Sequence, residues 1–195
     1  MDILPDNNGA GVVYDVKSSH HLGRIIKKLG GVGIMCKSGH SWVKQKLLET
    51  GALLGGEYSA HIFFKHRWFG FDDGMYAACR FIELLDKDNI SADALLGRLP
   101  HSYSTPELFM PVPEADKFAL MATLVDKMEI RDAHLDYLDG IRADFETGWA
   151  LIRASNTTPS LVLRFEADTQ ADLEHIQQSF RQALLKLLPD LVLPF

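Results

Sequence analysis

The chain has 195 residues, 47% of them hydrophobic and 24% charged, with a formal net charge of −6. That profile excludes a disordered chain, and the acidic balance argues against non-specific nucleic-acid binding, which needs dense Lys and Arg on one face, so any anion site has to be local. The length exceeds what one small domain needs and suffices for two.

Met1-Asp-Ile-Leu4 reads as the tail of an amphipathic helix cut from something longer, followed by the turn Pro5-Asp-Asn-Asn-Gly9. Gly11 to Val16 is a strand candidate. Ser18 or Ser19 caps a helix to about Leu29, with Leu22, Ile25, Ile26 and Leu29 at helical spacing, and Gly30-Gly31 ends it. Val32 to Cys36 is a second strand and Ser41 to Glu49 an amphipathic helix stopped by Thr50-Gly51. Ala52 to Leu54 and His61 to Phe64 are further strands, Asp72 or Asp73 caps a helix to about Leu85, and Ser91 to Leu96 is a short helix. Strands alternating with helices at this spacing predict an α/β unit over residues 1–99 with a mixed sheet.

The pattern changes near Leu99-Pro100. Tyr103 to Val112 is extended, and Pro106 and Pro111 suit an edge strand. Glu114 to Met128 is helical. Gly148 to Ile152 is an apolar run that reads as a strand, and Ile141 to Phe145 and Ser160 to Glu166 alternate along their length, which predicts an antiparallel sheet with one face covered. Asp139-Gly140 and Thr147-Gly148 supply turns, and the last helix starts near Thr169 with the stripe Leu173, Ile176, Phe180, Leu184 and Leu187. Residues 100–195 therefore read as an α+β domain, a meander flanked by two helices. Cys36 and Cys79 read as reduced core residues. No apolar run approaches a membrane span and no signal-peptide pattern opens the chain, so the cytoplasm is the default compartment and no membrane partner is expected.

Four clusters carry chemistry. Lys17 ends a strand just before a helix, where open α/β sheets meet ligands. Lys37-Ser-Gly-His40 repeats that placement after the next strand. In Gly55-Gly-Glu-Tyr-Ser-Ala-His61, Glu57, Ser59 and His61 share a side if the segment is extended. A carboxylate beside a hydroxyl suits sugar hydroxyls, and histidine is a general acid or base near neutral pH. Arg153-Ala-Ser-Asn-Thr-Thr-Pro159 puts a guanidinium, three hydroxyls and a carboxamide between two strands. That donor set suits a phosphate, although Ser, Asn and Thr also favour plain turns. Trp149, Leu151 and Arg153 share a strand face, and a lone buried arginine there is costly, so it should reach solvent or an anion. No Walker loop, GxGxxG or metal-ligand spacing is present, and no metal site is expected.

Five stretches carry a family resemblance: Tyr14-Asp-Val-Lys17, Lys37-Ser-Gly-His40, Gly51-Ala-Leu-Leu-Gly-Gly-Glu-Tyr-Ser59, Arg67-Trp-Phe-Gly-Phe-Asp-Asp-Gly74 and Gly148 through Asp168. In that order the chain resembles the α-D-phosphohexomutases, over nearly its whole length, and most closely the bacterial bifunctional phosphomannomutase/phosphoglucomutase branch. The resemblance implies an incomplete third domain of α/β type followed by a TATA-binding-protein-like fourth domain. It implies interconversion of hexose 6-phosphate and hexose 1-phosphate through a phosphoserine and a glucose or mannose 1,6-bisphosphate, with Mg2+. By position, Glu57 and Ser59 would hold sugar hydroxyls. Lys17, His40 and His61 would line the cleft, with His61 near the proton transfer. Arg153, Ser155, Asn156 and Thr157 would bind the phosphate that does not react. Ala60 stands where the family usually has glycine. The Thr-x-Ser-His-Asn-Pro serine motif and the Asp-Gly-Asp-Gly-Asp-Arg metal loop of the family's earlier domains are absent from the sequence. The expected partners are hexose phosphates and the missing N-terminal domains, and the expected chain is inactive alone. The alternative is a stand-alone, non-catalytic phosphosugar-binding module.

Overall fold

The computed structural model describes residues 2–195, which divide between Pro100 and His101 into two units, each with its own apolar core. In the first unit β1 (Gly11–Asp15) lies between β2 (Val32–Cys36) and β3 (Leu54–Gly56), parallel to both. β4 (Ile62–Phe64) adds antiparallel to β3, so the sheet is mixed, in the order β2-β1-β3-β4. α1 (His20–Lys28) connects β1 to β2, and α2 (His40–Thr50) connects β2 to β3. Neighbouring residues of a strand face opposite ways. Val13 accordingly packs with Val43 and Leu47 of α2, while Val12 packs with Ile26 of α1. Because β1, β2 and β3 run parallel, the loops after Asp15, Cys36 and Gly56 leave one edge of the sheet, and that common edge gathers the candidate residues.

Several boundaries differ from the sequence reading. β3 covers Leu54–Gly56 rather than Ala52 to Leu54, because packing overrides glycine's low strand propensity. A Cβ on Gly55 would lie 2.6 Å from Val43 Cγ1, so only glycine lets α2 approach. Residues Leu4–Asp6 form a single 3-10 turn with Leu4 buried, and Met1 lies outside the described residues. Ser19 caps α1, Asp73 caps α3 (Gly74–Asp88) by accepting from Tyr76 N at 2.9 Å, and Ser91 caps α4 (Ala92–Leu96). Cys36 is buried and Cys79 exposed, neither of them in a disulfide among the described residues, so the core expectation fails for Cys79. On the α1 side of the sheet, Ile3, Leu22, Ile25, Phe64, Phe81 and Leu96 help to line a largely apolar cavity of about 390 Å³.

The second unit holds β5 (Tyr103–Ser104), β6 (Leu108–Pro111), α5 (Lys117–Lys127), β7 (His134–Asp136), β8 (Ile141–Asp144), β9 (Gly148–Ala154), β10 (Ser160–Ala167) and α6 (Gln170–Leu187). The antiparallel sheet runs β5-β10-β9-β8-β7, with β6 also paired to β10. Ala150, Ile152, Leu161, Leu163 and Phe165 face the core, where α5 contributes Met121 and Leu124 and α6 contributes Ile176 and Phe180. Sequence alternation predicted a second face open to water. Instead every residue of β10 is buried, and on the polar face the guanidinium carbons of Arg142 and Arg164 lie 4.2 Å and 5.3 Å from the centre of the Trp149 ring. The expected single edge segment Tyr103 to Val112 is two strands interrupted at Thr105–Glu107. α5 starts at Lys117 rather than Glu114, because Pro113 opens a turn whose carbonyl accepts from Asp116 N and Lys117 N. Among the described residues, no helix is long and apolar enough to cross a membrane.

Candidate functional site

At the common edge of the first sheet, Asp15 is fully buried and ties three loops together. Its Oδ1 accepts from Ser18 Oγ at 2.7 Å and from Tyr58 N at 3.1 Å, and its Oδ2 accepts from Ser38 Oγ at 3.2 Å. Sequence reading passed over Asp15. Its signal was a carboxylate ending a strand two residues before Lys17. Lys17 is itself buried, with its ammonium 5.8 Å from the centre of the Tyr58 ring.

Glu57 is built into the same edge. Its Oε1 accepts from Gly39 N at 2.6 Å, which fixes the carboxylate against the loop that carries His40. Its Oε2 is buried and has no hydrogen-bond partner among the described residues. A buried carboxylate oxygen without a donor costs free energy, so this atom is an acceptor that a ligand hydroxyl would satisfy. The segment is not extended, so Glu57, Ser59 and His61 do not alternate along one side. Glu57 to Ala60 is a turn closed by Ala60 N to Glu57 O at 3.0 Å, with Glu57 N to His61 O, also 3.0 Å, completing the hairpin from β3 to β4. Ser59 is exposed on that turn. Ala60 has φ of 66°, the left-handed region that favours glycine.

His61 and His40 approach with ring centres 6.4 Å apart. His61 Nδ1 lies 2.6 Å from Asp72 Oδ2, which assigns the proton to Nδ1 and leaves Nε2 as the nitrogen able to exchange a proton with a ligand. Asp72 read from sequence as an alternative helix cap. Asp73 takes that role, and an isolated bridge between Phe63 and Asp72 holds the Asp72 backbone.

In the second unit the loop from Ser155 to Pro159 joins β9 to β10. Ser155 N donates to Ser160 O at 3.0 Å, and Ser155 Oγ accepts from Thr157 N at 3.3 Å, Thr158 N at 3.1 Å and Thr158 Oγ1 at 2.8 Å. The Ser155 oxygen is thus committed inside the loop, while Asn156 and Thr157 are exposed. Arg153 is only 5% exposed, and its Nε donates to Asp139 Oδ2 at 2.9 Å. The expectation that it reaches solvent or an anion is met by a carboxylate of its own chain. Asp139 read from sequence only as half of a turn with Gly140. Gly140 has φ of 83°, and a Cβ there would lie 2.2 Å from Ile152 O, so glycine is what lets this turn press on β9 beside Arg153.

Two family models match the chain. "Phosphoglucomutase/phosphomannomutase, alpha/beta/alpha domain III" covers residues 3–103, and "Phosphoglucomutase/phosphomannomutase, C-terminal domain" covers residues 110–183. The chain is 48% identical over all its 195 residues to the phosphomannomutase/phosphoglucomutase of Pseudomonas syringae pv. tomato, and it spans 42% of that relative's length. It is also 48% identical to a phosphoglucomutase of Neisseria meningitidis serogroup A, again over 42% of that protein. A crystal structure of a phosphoglucomutase/phosphomannomutase family protein from Burkholderia thailandensis superimposes with a TM-score of 0.91 at 44% identity, over 99% of this chain and 41% of that one. The fold alone is shared with an N-acetylphosphoglucosamine mutase of Aspergillus fumigatus, solved with GlcNAc-6P and magnesium, at a TM-score of 0.58 and 13% identity over 89% of this chain and 39% of that one.

Proposed function

The chain belongs to the phosphoglucomutase/phosphomannomutase family, matching its third and C-terminal domains, and from that premise we propose that it is the substrate-holding part of a hexose-phosphate mutase. In this reading Glu57 Oε2 and Ser59 take hydroxyls of the sugar. Lys17 and His40 stand beside them, and His61 Nε2 handles a proton. Arg153, with Asn156, Thr157 and the hydroxyl proton of Ser155, takes the phosphate that does not react. The whole reaction interconverts hexose 1-phosphate and hexose 6-phosphate through a hexose 1,6-bisphosphate.

The observation that carries the reading is Glu57, held at one oxygen by Gly39 N while the other is buried and unpartnered. Folding alone does not favour an unsatisfied carboxylate oxygen, and a bound hydroxyl removes that cost. Magnesium, which the family implies, finds no donor set at this edge. The oxygens of Asp15 are spent on Ser18, Ser38 and Tyr58 N, one oxygen of Glu57 on Gly39 N and one of Asp72 on His61. Among the described residues of the first unit, no three His, Cys or carboxylate side chains converge as metal ligands. No step is therefore routed through a metal here. Phosphoryl transfer relies on positioning and charge neutralisation, and the purified chain, without the family's serine and metal motifs, is expected to give no turnover in a coupled assay.

Titration calorimetry with glucose 1-phosphate and mannose 1-phosphate tests the binding role. Glu57→Gln should weaken both sugars by about 1–3 kcal/mol, the cost of losing a hydrogen bond to a charged acceptor, and should leave inorganic phosphate unaffected. Equal affinities for both proteins would remove Glu57 from the sugar site.

A further inference from the structure

Lys117 is the buried ammonium that this function leaves unused. Lysine is almost never fully buried unless paired, yet this one is 2% exposed. Its Nζ donates to Glu114 Oε1 at 2.9 Å, to Glu114 Oε2 at 3.0 Å and to the carbonyl of Thr158 at 3.1 Å. The last contact joins the first turn of α5 to the middle of the β9–β10 loop. Thr158 is the residue on which that loop turns. Its N and Oγ1 donate to Ser155 Oγ, and its Oγ1 also meets Ser160 Oγ at 2.8 Å. Its carbonyl accepts from Ser160 N at 2.9 Å. Pro159 follows, which restricts Thr158 to extended conformations and takes a donor out of the loop. Outside the loop's own bonds, the hydrogen bonds that anchor this stretch among the described residues are Val112 N to Pro159 O at 3.0 Å and Lys117 Nζ to Thr158 O.

We propose that Lys117, neutralised by Glu114, is a positioning residue for the β9–β10 loop. It holds the Thr158 carbonyl and thereby sets the loop that presents Asn156 and Thr157 beside Arg153 for an anionic oxygen. The proposal rests on the phosphate reading of this loop. Burying a charge is unfavourable unless it is well paired and hydrogen-bonded, and fixing a loop that has few other anchors gives that charge a use. A ligand-binding loop held in its bound shape loses less freedom when the ligand arrives.

The test uses the full chain, nitrogen-15 labelled, with inorganic phosphate as the probe and at a temperature where each variant is fully folded. Lys117→Met keeps the apolar stem and removes the donors. Without phosphate, the Ser155, Thr157 and Thr158 amide resonances should shift and their hydrogen exchange should quicken. With phosphate, affinity should fall about tenfold, the size of one lost charged hydrogen bond. A Lys117 that merely stabilised the unit would lower the unfolding midpoint and leave the affinity of the folded protein unchanged. Should Lys117→Met fail to fold, Glu114→Gln provides the same readouts from an exposed position, with the same loop amides shifting and a smaller loss of affinity. Loop amides that match wild type in the folded variant overturn the positioning role alone. A wild-type loop that shows no phosphate-dependent shifts, with Arg153→Ala binding phosphate as wild type does, overturns the phosphate reading and the proposal with it.

Discussion

Ala60 shows how much one residue's conformation says that its type does not. The turn from Glu57 closes with ordinary hydrogen bonds, so the loop keeps its shape although Ala60 takes φ of 66°. For a residue with a Cβ that conformation costs about 1–2 kcal/mol. Part of the gain on removing it returns as the greater unfolded-state entropy of glycine. Ala60→Gly should therefore stabilise the first unit by about 1 kcal/mol, read as a higher midpoint in urea, while Ala60→Val should destabilise it. A second residue-scale case is His66, whose pKa is held below its ordinary value of 6.5, first by burial and then by the nearby cations Arg80 and Arg67. The folded state therefore binds the proton less readily than the unfolded chain does. The resulting stability is present above the ordinary value and is lost as pH falls through the folded value. His66→Gln should show a smaller fall in urea midpoint than wild type between about pH 7.5 and 5.5. An equal fall in both would assign the acid sensitivity to other groups.

The interrupted edge of the second sheet is solved at the level of the element. β5 pairs with Glu166 and Ala167 and β6 with Ser160 to Leu163, and Thr105 spans the gap. Thr105 N donates to Phe165 O at 3.0 Å, and Thr105 Oγ1 accepts from Phe165 N at 3.1 Å. A side-chain oxygen thus takes the ladder bond lost where Pro106 follows. Thr105→Val should leave the buried Phe165 amide without an acceptor and cost about 1–3 kcal/mol in the second unit, with faster exchange of the Phe165 amide as the direct check. The break itself was not legible from sequence, because Pro106 and Pro111 signal an edge without saying how the partner strand's amides are satisfied. β7 escaped as well, since His134-Leu-Asp136 is too short and polar to alternate. The helices were legible because their apolar residues recur at helical spacing. The strands of the second sheet were legible in place but not in burial. Alternation predicts an exposed face wherever polar residues occur, and here Arg142 and Arg164 each lie against the Trp149 ring instead.

At the scale of the molecule, the candidate residues were legible as chemical types and much less so as an arrangement. Glu57, His61 and Arg153 were named from sequence. That Gly39 N, Asp72 and Asp139 hold them was not legible, because each partner lies 11 to 18 residues away and belongs to a different loop. Topology supplies those pairings: a parallel sheet sends successive loops to one edge, and an antiparallel one folds the β7–β8 turn against β9. The apolar cavity on the α1 side has a practical consequence. Exposed aromatic and aliphatic surface in a folded protein is a site for hydrophobic dyes, the usual sign of lost packing. The native chain should bind anilinonaphthalene sulfonate and brighten it while keeping its full near-ultraviolet circular dichroism. A quality screen scored on dye fluorescence alone would reject a correctly folded preparation. Phe81→Ser at the cavity wall should dim the dye signal without changing the dichroism.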